Sequence, residues 1–239
     1  MDKNNDNFLS EIYESTSSIE IIDVAEVFVP NIMKNIKDKF WNEYKEYKIK
    51  QFIKGISISI QEDDFQINNK AFFNKMMSNK KDNYIFNKIL DEALHTSSDY
   101  TSLLIGIIAG EVLRSDDDIN YKNTLIITGL KNINDYDLKF LKQTYKYFSE
   151  PKNINKHGVN ATAIFFNTTM SHIENESNLE EEINKNSELK IFKSSLHKLS
   201  SLQLLDTGGL YMTNDANSFS PNEFGKYIIN MLNNILKGN

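Results

Sequence analysis

Residues 99–113 read Asp-Tyr-Thr-Ser-Leu-Leu-Ile-Gly-Ile-Ile-Ala-Gly-Glu-Val-Leu, and Arg114 closes the run. It is the longest apolar stretch of the chain and carries no charge between Tyr100 and Gly110. Ser97, Ser98 and Asp99 lead into it. Such residues start helices, because their side-chain oxygens accept from the free amides of a first turn. The run is too short to span a membrane, which takes about 20 apolar residues. A helix that is apolar on most faces is buried on most faces. The stretch is therefore expected to be the central helix of a bundle. Gly106 and Gly110 are four apart, share one face, and would admit a neighbouring helix at close range.

Composition agrees with a helical chain. Three prolines and nine glycines in 239 residues leave little to interrupt long helices, and a hydrophobic fraction of 40% is enough for a core. Cysteine is absent, which excludes disulfides, thiolate catalysis and cysteine-held metals. The amino-terminal Met-Asp-Lys-Asn-Asn-Asp-Asn lacks the basic-then-apolar pattern of a signal peptide, so a cytoplasmic location is expected. The net charge of −6 argues against nucleic-acid binding over the whole surface while leaving room for a local basic face. Arg114 is the only arginine, and bidentate phosphate or guanine recognition usually calls for arginine.

Working outward, residues 1–7 are polar and expected to be disordered. Phe8–Val29 reads as a helix, and Asn31–Ile58 as a long basic amphipathic helix. Its apolar positions are Ile32, Ile36, Phe40, Tyr44, Tyr47, Phe52 and Ile56, and lysines lie between them. With Trp41 such a helix could lie on an anionic membrane, although a bundle helix with a solvated lysine face is the reading adopted. Gln61–Asn69 reads as a loop. Phe72–Leu94 reads as helical, with a break at Asn79–Asp82. Asp116–Asp118 is read as the cap of a helix Ile119–Leu130, since carboxylates suit a helix N-terminus. The glycine and distal glutamate of a calcium loop are missing there. Asp135–Phe148 is a further helix. Pro151–Gly158 reads as a linker, Val159–Thr168 as a strand or buried extended piece, and Asn178–Asn186 as a short acidic helix. Glu188–Leu205 is a strongly periodic helix. A turn at Asp206–Gly209 and short strands at Leu210–Met212 and Ser218–Phe219 then precede a last helix, Asn222–Leu236.

No catalytic constellation stands out. His95, His157, His172 and His197 fall on four different segments, none at zinc-site spacing. There is no glycine-rich phosphate loop and no Gly-x-Ser-x-Gly. Arg114 has no histidine within six residues, as a helical RNase of the HEPN type would require. No catalytic, cofactor or metal residues are assigned; a non-enzymatic role is the reading adopted, with an unrecognised hydrolase as a rival.

The most specific stretch is Leu196-His197-Lys198-Leu199-Ser200-Ser201-Leu202-Gln203-Leu204-Leu205, followed across a hairpin by Phe219-Ser220-Pro221-Asn222-Glu223-Phe224-Gly225-Lys226-Tyr227-Ile228. It resembles the winged-helix pattern of a leucine-spaced third helix ending in Gly-Leu, a wing, and a helix carrying an early glycine. Gln203 stands where that pattern has glycine. Two further stretches, Tyr100–Ile105 and Leu130–Leu138, join Ser195–Leu202 and Asn222–Tyr227. Together they resemble the abortive-infection alpha family of bacterial proteins over roughly residues 72–235. The resemblance implies phage defence and brings no catalytic residues with it.

The fold expected is mainly α: a helical bundle over 8–150, a linker at 151–158, and a winged-helix-like module with a short β-hairpin over 159–239. The function expected is that of a non-enzymatic prokaryotic or phage-encoded interaction protein. Its partner would be another protein or a second copy, with no cofactor. Two alternatives are a DNA-binding winged-helix regulator and a membrane-active effector using residues 31–58. In Glu188–Leu205 the apolar stripe leaves Lys190, Lys193, His197 and Ser201 on the opposite face, three to four apart. With Lys226 on the last helix, they form the candidate partner or nucleic-acid face. Two lysines and a histidine make DNA binding weak, and membrane binding is not expected.

Overall fold

The computed structural model describes residues 29–30, 42–61, 69–115, 118–156, 158–169, 185–207 and 218–237. The expectations for 1–28, 31–41, Trp41, His157, His172, the strand at 210–212 and nearly all of the acidic helix at 178–186 lie outside them. Among the described residues the chain is mainly helical, with one small antiparallel sheet. It divides into two compact units, one ending at Asn134 and the other beginning at Asp135. Helix Asp135–Ser149, grouped above with the bundle, thus belongs with the C-terminal elements.

In the first unit, α1 (Asn42–Gln61), α2 (Asn69–Ser78), α3 (Lys80–Leu94), α4 (Asp99–Ser115) and α5 (Tyr121–Asn132) pack together. Helix α4 is the expected central helix: α1, α3 and α5 all pack on it, and every residue from Thr101 to Gly110 is buried. Its tightest neighbour is α1, through the two glycines read from the sequence. A Cβ at Gly106 would stand 2.1 Å from the Phe52 carbonyl oxygen, and one at Gly110 would stand 2.7 Å from Ser59 Cβ. The reciprocal gap on α1 is Gly55, where a Cβ would meet the Leu103 carbonyl oxygen at 2.0 Å. The two backbones therefore touch, a crossing that only glycine permits.

Phe52, Ile49, Ile53 and Ile56 are fully buried, which leaves only Tyr44 and Tyr47 outward among the large apolar residues of α1. The described part of this helix has no free apolar face of the kind a membrane-surface helix needs. No helix among the described residues is long and apolar enough to cross a membrane. The expected break near Asn79 separates α2 from α3. The Asn79 side chain caps α3 by accepting from the amides of Lys81 (2.9 Å) and Asp82 (3.4 Å). The cap of α5 is Asn120, whose Oδ1 accepts from the Asn123 amide at 2.8 Å, and not the Asp116–Asp118 run. Asparagine wins because capping needs its short side chain one residue before the first turn. Salt bridges Lys81–Asp118 (3.3 Å) and Lys131–Glu92 (2.7 Å) join like ends of α3 and α5, so these two helices run parallel.

The second unit runs α6 (Asp135–Ser149), β1 (Val159–Asn160), α7 (Ala161–Thr169), α8 (Ser187–Ser201), β2 (Leu205–Thr207), β3 (Ser218–Pro221) and α9 (Glu223–Lys237). The sheet order is β1-β3-β2, antiparallel throughout, with Val159 opposite Phe219 and Asp206 opposite Ser220. The expected strand 159–168 is a strand only at its first two residues. Asn160 then turns it into a helix, its Oδ1 accepting from the Ala163 amide at 2.8 Å. Local capping overrides the β-branched, aromatic composition there. Residues 151–155 form turns, and Asn153 is buried, its Nδ2 donating to the Tyr147 carbonyl at 2.9 Å. The expected linker is therefore docked onto α6. Phe192 fixes the core of the unit, its ring 4.8 Å from Phe140 and 5.5 Å from Phe165.

Candidate functional site

Helix α8 begins at Asn186, whose Oδ1 accepts from the amides of Glu188 (2.9 Å) and Leu189 (3.2 Å). Leu189, Phe192, Leu196 and Leu199 repeat every three to four residues and are fully buried. The helix stops four residues earlier than expected, at Ser201. The Gln203 amide donates to Ser200 O and the Leu204 amide to Leu199 O, both at 2.9 Å, the two bonds of a Schellman stop. Such a stop needs a residue with positive φ. Gln203 takes it, with φ 60°. The residue standing where the winged-helix pattern has glycine thus adopts the glycine conformation.

Tyr145 and Asn222 fasten the exit of β3. The Tyr145 hydroxyl donates to the Asn222 carbonyl (2.5 Å) and accepts from the Asn222 amide (3.0 Å). Burial pushes this phenol well above its ordinary pKa, a shift opposed by the bond to Asn222 and reinforced by the Asp206 charge. Asn222 also caps α9 through the Gly225 amide (2.9 Å) and ties back to the Gln203 carbonyl (2.9 Å) and Asp206 (3.2 Å). A Cβ at Gly225 would sit 2.2 Å from the Leu204 carbonyl oxygen, so α9 leaves the sheet against the end of α8.

The outward face of α8 carries four of the five candidate residues. Lys190, His197 and Ser201 are exposed and Lys193 is half-buried. The His197 ring stands edge-on to Phe219 at 4.9 Å, and Ser201 Oγ donates to its own helix at Lys198 O (2.7 Å). Ile191, 55% exposed, flanks this face and was not singled out from the sequence. Lys226, the fifth candidate, is exposed on the first turn of α9. Lys198, next to His197, is committed elsewhere: its ammonium lies 2.6 Å from Asp137 Oδ2, while Ser195 Oγ donates to Asp137 Oδ1 at 2.5 Å. Asp137 is thus a buried carboxylate satisfied by two partners, binding α8 to α6.

A second polar cluster, in the first unit, was also missed. Lys48 is completely buried, and its ammonium donates to Thr96 Oγ1 (2.7 Å), Ser98 O (2.7 Å) and Thr96 O (3.1 Å), with Asp99 at 3.4 Å. The Thr96 hydroxyl in turn lies 2.8 Å from Ser102 Oγ. The signal was present, since 44, 48, 52 and 56 form a four-residue series and Lys48 occupies a core position in it. All its bonds run to the turn between α3 and α4, so the cluster is a structural clasp. Among the described residues no group of three or more histidine or acidic side chains could hold a metal ion. Comparison with protein-family models, curated proteins and solved structures finds no match to this chain.

Proposed function

We propose that this chain is a non-enzymatic interaction protein, acting in phage–host conflict as the abortive-infection resemblance implies, with the outward face of α8 as its contact surface. The observation that carries the reading is the placement of α8. It follows a helix-strand-helix segment, precedes a two-strand hairpin whose returning strand lies between β2 and β1, and keeps one polar face outside the core of its unit. That is the order of a winged-helix-like module, with α6 as its first helix, α8 as its third, and α9 added. A non-enzymatic role is supported by the use of the buried polar groups: Lys48, Asp137 and Tyr145 are all engaged in holding backbone or neighbouring helices.

DNA binding is the second reading, favoured by the same topology because a third helix in this position enters the major groove in DNA-binding relatives of the architecture. Charge weighs against it. With Lys198 paired to Asp137, the face offers two lysines, Lys190 and Lys193, for counterion release, and Glu188 opens the same helix. A face with exposed Ile191 among lysine, serine and histidine suits a protein surface better. The test is a phage challenge of bacteria expressing the chain. Reduced plaque formation that disappears with Lys190→Glu/Ile191→Asp, at unchanged expression and helicity, supports the reading. Protection that survives this substitution moves the function away from α8, and absence of protection across a broad phage panel removes the phage-conflict role.

A further inference from the structure

The outward stripe of α3 consists of Lys80, Tyr84 and Lys88 at four-residue spacing, with Asp91 three residues on, all of them exposed. Tyr84 is 68% exposed, and Tyr121, at the start of α5, is 74% exposed. The bridge Lys81–Asp118 sets the register of the two parallel helices, and each tyrosine lies three residues beyond one of its ends. Both tyrosines thus belong to the N-terminal halves of two adjacent parallel helices. Tyrosines in such a setting are frequent anchors of protein interfaces. The two ends of the stripe carry opposite charges, Lys80 at the N-terminus and Asp91 toward the C-terminus, with Lys88 between them; the Asp91 carboxylate lies 3.6 Å from His95 Nδ1.

A stripe of this kind is complementary to itself. If a second copy is related by a two-fold axis across the middle of α3, the two α3 helices run antiparallel. Lys80 then faces Asp91 of the second copy, and Tyr84 faces Lys88 of the second copy, a cation–π pairing. Both contacts occur twice, as an isologous interface requires, and the opposed helix dipoles add to the attraction. We propose that the α3–α5 face is a homodimer interface centred on Tyr84 and Tyr121, with Lys80 and Asp91 pairing across the axis. A helix of 15 residues is only about 22 Å long, so the contact is small and the dimer is weak and reversible.

Sedimentation velocity from low micromolar to several hundred micromolar protein tests this. The expected result is a monomer–dimer equilibrium that Tyr84→Ala/Tyr121→Ala weakens by about tenfold or more. Lys80→Asp and Asp91→Lys should each weaken self-association, and an equimolar mixture of these two variants should recover it, because every pair across the axis is then opposite in charge. All four positions are exposed, so helicity should be unchanged. A monomer throughout the range overturns the proposal. So does a dimer that ignores the tyrosine substitutions, or a mixture of the charge variants that associates no better than either alone. The α8 face is untouched by these variants, so the outcome is independent of its role.

Discussion

Replacing Lys48 with methionine should be among the costliest single changes in the first unit. Methionine keeps the length and most of the volume of the stem, so packing against Ile49 and Phe52 changes little. It removes three donated hydrogen bonds. The Ser98 carbonyl keeps the Thr101 hydroxyl at 2.8 Å, and the Thr96 hydroxyl keeps Ser102 at 2.8 Å. Losing the Lys48 bonds to Ser98 O and Thr96 Oγ1 costs about 1 kcal/mol each, and stranding the buried Thr96 carbonyl costs about 1–3 more. Relief from burying a charge offsets part of the total, leaving a net loss of about 2–4 kcal/mol. Exchange of a whole buried ion pair for apolar residues can be neutral, but here the acceptors remain. Asp99→Asn should cost at most about 1 kcal/mol, since this carboxylate is 42% exposed and 3.4 Å from the ammonium. Urea denaturation followed by far-ultraviolet circular dichroism measures both. Equal losses for the two variants would show that charge pairing holds the clasp. An unchanged midpoint for Lys48→Met would refute the clasp altogether.

Gly106→Ala should destabilise by about 3 kcal/mol or more, because its Cβ meets backbone rather than a yielding side chain and α1 must move off α4; a calorimetric midpoint within a degree of wild type would contradict the close crossing. Gln203→Gly should stabilise by about 1 kcal/mol by removing the cost of left-handed backbone at a residue with a Cβ, and a loss of stability would mean that the side chain itself matters. Burial lowers the Lys54 amine from 10.5 to about 8, so between these values the unfolded chain holds a proton that the native chain has released, and stability rises with pH. Above the ordinary Tyr145 value of 10.0 the sign reverses, since the unfolded phenol ionises first. Chemical denaturation across pH 7–11 should show the rise and then the fall, and Lys54→Met should flatten the rise.

Long-period patterns were legible and local competitions were not. The apolar run at 99–113 announced the central helix, and Gly106 with Gly110 announced its close neighbour, because burial and backbone approach leave direct marks in composition. Gly55 was invisible, as a lone glycine among isoleucines carries no pattern of its own. Lys48 was read as solvated because lysine normally is, although its place in the 44–48–52–56 series marks it as buried. Residues 161–169 were misread because β-branched and aromatic content favours a strand, while Asn160 capping and the burial of Ala161, Ile164 and Phe165 favour a helix. The outward face of α8 followed from its leucine spacing. The neutralisation of Lys198 did not, since Asp137 lies 61 residues away in sequence.

On the proposed reading, α8 presents a face for protein rather than for DNA. Fluorescence anisotropy of a labelled duplex, titrated with the full chain at low salt, tests it most directly, because low salt favours any phosphate contact the face can make. No submicromolar binding is expected, only a weak signal that vanishes as salt is raised. Submicromolar affinity that is lost in Lys190→Ala/Lys193→Ala would contradict it and make the C-terminal unit a DNA-binding module.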